Sequence, residues 1–276
     1  MLANDVRKPF GQGMQFVPRT ACPFPCPAGH SWQPMATYHI PSHVHFAVEG
    51  DAAVFLDLRS DRYSMLIGAK GRLFKSLVSG RHTGIQRILY LDHPLADHED
   101  AVTCRELIAD LTNNHLISAE ETAMADPAIA DIPLPEEDLL EPHQTTDMRI
   151  RARDMAAVII SCAIAKWRLS FSSIEHTVNV IHRRRRLYAR ERPAVTDVRR
   201  LVRIYNQLRP LVPHSYLCLF DSLALLEFLA RHDCYPSLVF AVQLEPWNAH
   251  CWVQQGGVSF NESIHKARTY LPLLSV

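Results

Sequence analysis

The sequence of 276 residues predicts an α+β fold in two globular parts. In residues 35–118, strand-like runs come first and helical patterns follow, whereas in residues 148–276 helical patterns precede strands. Between these parts, residues 119–147 are acidic and contain prolines, a composition typical of a linker. Strands and helices that come in separate blocks favour an α+β fold over an alternating α/β fold.

The overall composition points to no special class of partner. The 29 lysines and arginines balance the 29 aspartates and glutamates, so the formal net charge is zero. Seven cysteines, an odd number without framework spacing, indicate a reducing compartment, and the first residues lack the apolar core of a secretory signal. We therefore expect a cytoplasmic protein. The longest apolar run, residues 155–165, is too short to span a bilayer, so we expect no membrane partner.

The N-terminal stretch is predicted to lie outside the fold. Residues 1–34 hold six of the 18 prolines and no periodic pattern, so we expect a disordered tail. Within it, Cys22, Cys26 and His30 could suggest a metal site. Zinc in a structural site needs four ligands, and no fourth ligand is evident. We therefore predict no metal there.

The front part, residues 35–118, contains three predicted strands followed by two predicted helices. A tight turn at Arg59–Arg62 separates the second and third strands, and leucines at 107 and 111 give the second helix an apolar stripe. This layout predicts a small winged-helix-like domain. The strands are "YHIPSHVHFAVE", "AAVFLDL" and "RYSMLIG", and the helices are "AKGRLFKSLVSG" and "EDAVTCRELIADLTNNHLI".

The rear part, residues 148–276, contains a block of helices followed by strands. Ser172 and Glu175 have the spacing of a capping box, which predicts the start of the second helix. The helices carry "MRIRARDMAAVIISCAIAKW", "SSIEHTVNVIH", "VRRLVRIYNQL" and "SYLCLFDSLALLEFLARH", and the strands are "SLVFAVQL", "AHCWVQ" and "VSFNE".

Cys218 stands at the head of the last of these helices. With Ser215 as the N-cap, Cys218 falls at the third helical position, beside backbone N–H groups that have no helical partner. The partial positive charge there favours the thiolate, which is the nucleophilic form. A buried thiol that only fills space is the alternative.

A base and a residue that orients it follow in the strands. If residues 255–257 form a three-residue turn, Trp252 faces Phe260 and His250 faces Glu262 on one side of the hairpin. A two-residue turn would send His250 and Glu262 to opposite faces. We predict the three-residue turn, with a surface histidine–carboxylate pair unrelated to Cys218 as the alternative.

The segments "CLFDSLALLEFLARH", "LVFAVQLEPWNAHCWVQ", "FNES" and "YLPL" resemble the B protein of lasso-peptide biosynthesis, a leader peptidase of the transglutaminase-like, papain-like cysteine proteases. The resemblance implies that Cys218 attacks the leader–core peptide bond, His250 is the base and Glu262 orients it. It also implies that no cofactor is needed. The chain departs from the family pattern at four positions: Asp221 replaces arginine, Cys251 alanine, Gln254 glutamate and Glu262 aspartate.

Residues 35–118 resemble, in layout, the PqqD-like precursor-recognition domain that is often fused or partnered to such peptidases. The resemblance implies a precursor-peptide leader as partner, together with a separate ATP-dependent lasso cyclase. An exposed strand edge accepts an extended peptide as an added strand. We therefore expect the leader to lie along the third strand and against the second helix, in contact with Arg62, Tyr63, Met65, Ile67, Leu107 and Leu111.

Two other functions fit parts of the sequence. A winged-helix nucleic-acid-binding regulator would suit the front domain and the arginine run at 183–203. However, "EDAVTCRELIAD" is acidic, whereas a helix that faces phosphates should be basic, so we expect no nucleic-acid partner. An acyltransferase or transglutaminase with the same Cys-His-acid triad is the other alternative.

Overall fold

In a computed structural model of the chain, the described residues are 37–79, 88–90, 98–119, 132–140, 150–188, 195–215 and 217–276. They divide into two compact units, one formed mainly by residues before 120 and one mainly by residues from 132 onward. The fold is a mixture of α and β structure, as predicted. The predicted tail at 1–34, with Cys22, Cys26 and His30, lies outside the described residues.

The first unit contains a three-stranded antiparallel sheet, in the order β2-β3-β4, and two main helices. A second, two-stranded antiparallel sheet pairs β1 with β5. The three strands and two helices of the prediction are confirmed, and the winged-helix-like arrangement stays a prediction. The elements are β1 Thr37–His39, β2 Val44–Glu49, β3 Ala52–Asp57, β4 Arg62–Leu66, α1 Gly68–Ser79, β5 Ile88–Tyr90 and α2 His98–Asn113.

The core of this unit lies between the three-stranded sheet and the helices. Phe46 of β2 and Phe55 of β3 pack edge-on against Phe74 of α1, with ring centroids 5.3 and 4.9 Å apart. Leu107 and Leu111 of α2 join the same cluster and are 0% and 1% exposed. The apolar stripe predicted for this helix therefore faces inward.

The second unit is a helical block with a five-stranded sheet, in the order β10-β7-β8-β9-β6. Neighbouring strands are antiparallel, except that β6 runs parallel to β9. The elements are β6 Glu137–Asp138, α3 Ala152–Phe171, α4 Ile174–Tyr188, α5 Val195–Leu208, a 3₁₀ turn at Arg209–Leu211, α6 Cys218–Ala230, β7 Ser237–Gln243, β8 Asn248–Gln255, β9 Val258–Ser259, α7 Ile264–Ala267 and β10 Leu271–Ser275.

Residues 132–140, part of the stretch predicted as a linker, pair with the five-stranded sheet. There Glu137 of β6 pairs with Val258 of β9, and Nε2 of Gln254 donates a hydrogen bond of 2.9 Å to the carbonyl of Pro133. Leu139 is buried. Backbone pairing and one apolar anchor suffice to hold this short segment in the sheet although its sequence has no strand-like alternation.

Helix α6 runs through the centre of the helical block. Most of its residues are buried, and apolar side chains cover all of its faces, as expected for a helix enclosed by others. On α6, Glu227 pairs with two arginines, Arg168 of α3 at 3.0 Å and Arg184 of α4 at 2.8 Å. One carboxylate thus links three helices.

The start of α4 also differs in detail from the prediction. Ser173, rather than Ser172, supplies the cap, because its Oγ accepts the N–H of His176 at 3.1 Å. Among the described residues, no helix is both long and apolar enough to cross a membrane.

Candidate active site

Cys218 is the first residue of α6, and Leu217 is the N-cap. The predicted N-cap at Ser215 is wrong, because the helix begins further along the chain. The first turn is capped instead from within: Oδ2 of Asp221 accepts the N–H of Leu217 at 3.0 Å. Cys218 still lies beside the unpartnered N–H groups of the helix head, the environment that the sequence predicted.

Arg209 fixes the loop that leads into this helix. Its Nε lies 2.6 Å from Oδ1 of Asp221, and its terminal nitrogens donate to the carbonyls of Val212 and His214 at 3.2 and 3.1 Å. The guanidinium is almost completely buried, with 4% of the side chain exposed. A guanidinium thus reaches Asp221, in the first turn of α6, from position 209.

His250 and Glu262 are in contact, but the hairpin register is not the predicted one. Gln255 pairs with Val258 and Gln254 with Ser259, so the turn has two residues and the prediction of three is wrong. Gly256 adopts a positive φ of 60°, which a tight hairpin turn of this kind requires. Glycine takes this conformation without strain.

The contact survives because β9 ends at Ser259 and the chain then bends. Asn261 anchors the bend: its Oδ1 accepts the N–H of Val253 at 2.8 Å, and its Nδ2 donates to Oγ of Ser222 at 2.9 Å. Residues beyond Ser259 no longer alternate between sheet faces. Oε2 of Glu262 therefore contacts Nε2 of His250.

Cys218 and His250 line the same cavity, and Cys218 raises the pKa of His250, so the three predicted catalytic side chains lie together. Nε2 of the imidazole is on Glu262, which leaves Nδ1 for the sulfur. Burial lowers the pKa of His250, but hydrogen bonds to Cys218 and Glu262 and the nearby thiolate outweigh burial, so the pKa is raised. The imidazolium form is thereby favoured.

The Cys218 thiol has the complementary shift. A hydrogen bond from the side chain of Cys251 is the largest cause, burial opposes it, and His250 reinforces it. Together these hold the pKa of Cys218 well below its usual range. The resting state is therefore a thiolate–imidazolium pair, the reactive form of a cysteine nucleophile.

Glu262 keeps its negative charge. Burial raises the pKa of this carboxyl, but hydrogen bonds from His250, Lys266 and the Ser263 N–H outweigh burial and lower the pKa to about 2. Nζ of Lys266 lies 2.8 Å from Oε2 of Glu262 and 3.5 Å from Nε2 of His250. The Glu262 carboxylate thus pairs with two cationic groups, the imidazolium of His250 and the ammonium of Lys266.

Cys251 is buried, as the sequence predicted, with 3% exposure. It nevertheless contacts Cys218 through both its side chain and its backbone N–H, a contact that the alternation of faces along a strand did not suggest. The contact is made through the edge of β8 rather than through one of its faces. Beyond the end of β9, that edge is covered by the first turn of α6.

A cavity of about 370 Å³ opens at these side chains. Cys218, which is exposed, and His250 lie on its wall, together with Asn206 of α5 and Leu140 from the 132–140 segment. The cavity is large enough for a few side chains of a peptide.

The residues predicted to bind a leader fall into two sets. Arg62 and Met65 are exposed on β4, an edge strand of the three-stranded sheet, and Tyr63 is half-buried there. Ile67, which is also exposed, follows the end of this strand. Leu107 and Leu111 are core residues, which corrects the prediction that they contact a peptide. Their side chains pack against the core of the unit and not on its surface.

Asn261, Lys266 and Arg209 also belong to the site and were not predicted from the sequence. Asn261 adjoins Glu262 in "FNES", and Lys266 follows Glu262 at the helical spacing of four residues, so both carried a local signal. Arg209 carried none, because it reaches Asp221 from a different element.

Comparison with known proteins agrees with this geometry. Residues 161–275, which contain Cys218, His250 and Glu262, match a sequence model described as the transglutaminase-like superfamily. No curated protein and no solved structure matches the chain. The match is consistent with a fold of the cysteine-peptidase type. The chain therefore carries a transglutaminase-like superfamily domain at residues 161–275.

Proposed function

We propose that the chain is a cysteine peptidase with Cys218 as nucleophile, His250 as general base and acid, and Glu262 as the residue that orients His250. The observation that carries this proposal is that Cys218, His250 and Glu262 line one cavity, with His250 hydrogen-bonded to Glu262. A nucleophile, its base and the group that orients the base are the three parts that covalent catalysis of acyl transfer needs.

The steps follow from the protonation states. The Cys218 thiolate attacks the peptide carbonyl carbon, and the unpartnered N–H groups at the head of α6 stabilise the oxyanion. The imidazolium of His250 gives its proton to the leaving amine, and a thioester remains on Cys218. Water then attacks the thioester, His250 accepts its proton, and the carboxylic acid leaves as the sulfur is restored. Glu262 holds the ring through Nε2 throughout.

The proposed substrate is a ribosomally made precursor peptide, cut between leader and core. Support comes from the lasso B-protein resemblance of residues 215–276 and from the exposed edge strand β4 in the first unit. In this scheme β4 pairs with the extended leader, and main-chain hydrogen bonds supply the affinity. The freed core amine then passes to a separate ATP-dependent cyclase.

The test uses synthetic peptides encoded by short reading frames beside the gene. Each is incubated with the purified chain and with Cys218→Ala, and the products are weighed by mass spectrometry. We expect one internal cut by the native chain and a loss of about 10³-fold or more in the variant. Equal cutting by Cys218→Ala, or no cut in any neighbouring peptide, contradicts the proposal.

An acyltransferase with the same triad is the alternative, because water and an amine compete for the same thioester. Adding monodansylcadaverine, a primary amine, separates the two reactions. Hydrolysis leaves a free carboxylate on the upstream fragment, whereas acyl transfer attaches the fluorescent amine. Labelled product in excess over free acid at millimolar amine favours the transferase.

A further inference from the structure

We propose that Cys251 is a resolving thiol that closes a reversible disulfide with Cys218 when Cys218 is oxidised by a peroxide. The inference rests on the proposed function only in taking Cys218 as a reactive thiolate. It assigns a modification site to Cys251, whose part in the proposed cleavage is limited to stabilising the Cys218 thiolate.

Cys251 and Cys218 are neighbours. Both line the same cavity, and each shifts the pKa of the other. Sγ of Cys251 also lies 3.9 Å from Oγ of Ser222, one helical turn beyond Cys218. A disulfide has an S–S bond of about 2.05 Å, so closure requires the two side chains to approach each other within the cavity that both of them line.

The backbone holds this arrangement in place. Oγ of Ser222 donates to the carbonyl of Cys251 at 3.4 Å, and the N–H of Cys251 donates to the sulfur of Cys218. Two residues further along β8, the side chain of Asn261 accepts the N–H of Val253 and donates to Oγ of Ser222. The first turn of α6 is thus fastened to the edge of β8 at the place where the bond would form.

A redox pair of this kind needs one thiol that the oxidant can reach and a second that is shielded from it, and the two cysteines differ in this way. Cys218 is exposed and reactive, so a small oxidant in solvent reaches it first. Cys251 is 3% exposed, and its hydrogen bond to Cys218, followed by burial, raises its pKa well above the usual range. It is therefore inert toward solutes and reacts only with its neighbour.

The chemistry balances with one peroxide as oxidant. The Cys218 thiolate attacks a peroxide oxygen, the O–O bond breaks, hydroxide leaves, and Cys218 becomes a sulfenic acid. The sulfur of Cys251 then attacks the Cys218 sulfur, the S–S bond forms, and the departing hydroxyl takes the Cys251 proton and leaves as water. Two electrons pass from the two thiols to the peroxide, and a dithiol returns them.

Cys234, the nearest cysteine in sequence, is the natural control. Its Sγ lies 3.9 Å from Oε1 of Gln255, at the opposite end of β8 from His250. Burial raises the pKa of Cys234 to about 11, so it stays a thiol at neutral pH. Chymotrypsin cuts after Phe228 and Phe240, which places Cys218, Cys234 and Cys251 in three different peptides.

The experiment treats the reduced full chain with hydrogen peroxide, blocks free thiols with N-ethylmaleimide and maps the chymotryptic peptides without reduction. We expect a chain about 2 Da lighter with a Cys218–Cys251 cross-link. Dithiothreitol should restore about 80% or more of Cys218 alkylation by iodoacetamide. The Cys234→Ala variant should behave in the same way.

Loss of Cys251 also raises the pKa of Cys218 and so slows its oxidation, and the comparison is therefore made on the oxidised fraction of Cys218. In Cys251→Ala this fraction should form no cross-link and should accumulate as sulfinic acid, about 32 Da heavier, with less than about 20% recovery by dithiothreitol. Cys251→Ser provides the same test if the alanine variant does not fold. Sulfinic acid on Cys218 of the native chain with Cys251 still free overturns the inference. Because no peptide substrate is used, a chain that cross-links but cuts nothing contradicts only the proposed function.

Discussion

Nζ of Lys266 lies 2.8 Å from the same oxygen of Glu262 that contacts His250. The ammonium thus strengthens the negative charge of Glu262 while it opposes the positive charge of His250, whose pKa it lowers. Lys266 is about half exposed, so solvent screens part of this effect.

Lys266→Met should move the high-pH limit of activity upward. Without the ammonium the pKa of His250 rises further, so the imidazolium survives to higher pH, by about half a pH unit. The measurement is the pH profile of kcat/KM for peptide cleavage, because a thiolate without the imidazolium beside it is still alkylated but cannot protonate the leaving amine. Lys266→Arg keeps the charge and should keep the native profile; an unchanged limit in Lys266→Met contradicts the coupling.

Cys218 should be the thiol that reacts in acid. Its pKa is lowered, whereas burial raises the pKa of Cys104, Cys162 and Cys234. At about pH 5.5 iodoacetamide should therefore label Cys218 first, by peptide mapping. Below the lowered pKa of Cys218, and above the raised pKa of His250, the ion pair is lost, so cleavage should follow a bell-shaped pH profile.

His250→Ala is the control for this labelling, because it removes one donor to the thiolate and its charge. The pKa of Cys218 should then rise and labelling at about pH 5.5 should fall severalfold. Equal labelling of the variant and the native chain would mean that His250 does not stabilise the thiolate.

Glu262→Gln should slow cleavage by about 10² to 10⁴-fold, because the amide neither favours the imidazolium nor fixes the ring tautomer. Glu262→Asp keeps the charge with one methylene fewer and should retain a larger part of kcat/KM. Rates with a cleaved peptide measure both. If Glu262→Gln cleaves at the native rate, Glu262 has no role in catalysis and its contact with His250 is structural.

Arg209→Met should destabilise the second unit. The variant leaves the Asp221 carboxylate without its charged partner and removes one donor each from the carbonyls of Val212, His214 and Ser215, a loss of about 3 kcal/mol. Arg199→Met is the matched control, because Arg199 pairs with the half-exposed Glu137 and should cost less than about 1 kcal/mol. Urea midpoints by tryptophan fluorescence compare the two; similar shifts contradict the role of burial.

Met65→Asp and Ile67→Asp test the proposed leader edge. Both side chains are exposed, at 41% and 65%, so the fold should tolerate either change. A leader paired with β4 should then bind less well, which raises KM about tenfold with kcat almost unchanged. Glu49→Gln, at the end of the opposite edge strand β2, is the control. An unchanged KM removes β4 from recognition.

The local pattern predicted element types well and the geometry of contacts less well. The contact of His250 with Glu262 was expected from a three-residue turn, yet it occurs with a two-residue turn. Regular alternation of side chains holds only if the strand runs straight through position 262, and it does not. The bend after Ser259 depends on hydrogen bonds of Asn261 to two other elements, and spacing along one strand does not carry that information.

The contact between Cys218 and Cys251 could not be predicted for a related reason. Alternation assigns side chains to the two faces of a sheet, and on that basis Cys251 faces away from His250. The helix approaches β8 at its edge, where backbone groups and both neighbouring side chains are within reach. Similarly, β6 consists of two residues and has no period to detect.

The short length of β9 has one more consequence. An uncovered strand edge invites pairing with other chains, and here the head of α6 covers the edge of β8 that β9 leaves open. The contact between the head of α6 and β8 thus both positions the Cys218 sulfur and covers the open edge of the five-stranded sheet. A transient opening of the α6 head would displace the Cys218 sulfur and uncover the edge of β8 at the same time. The hydrogen-exchange rate of the Cys251 amide therefore reports how often the molecule is both inactive and prone to self-association.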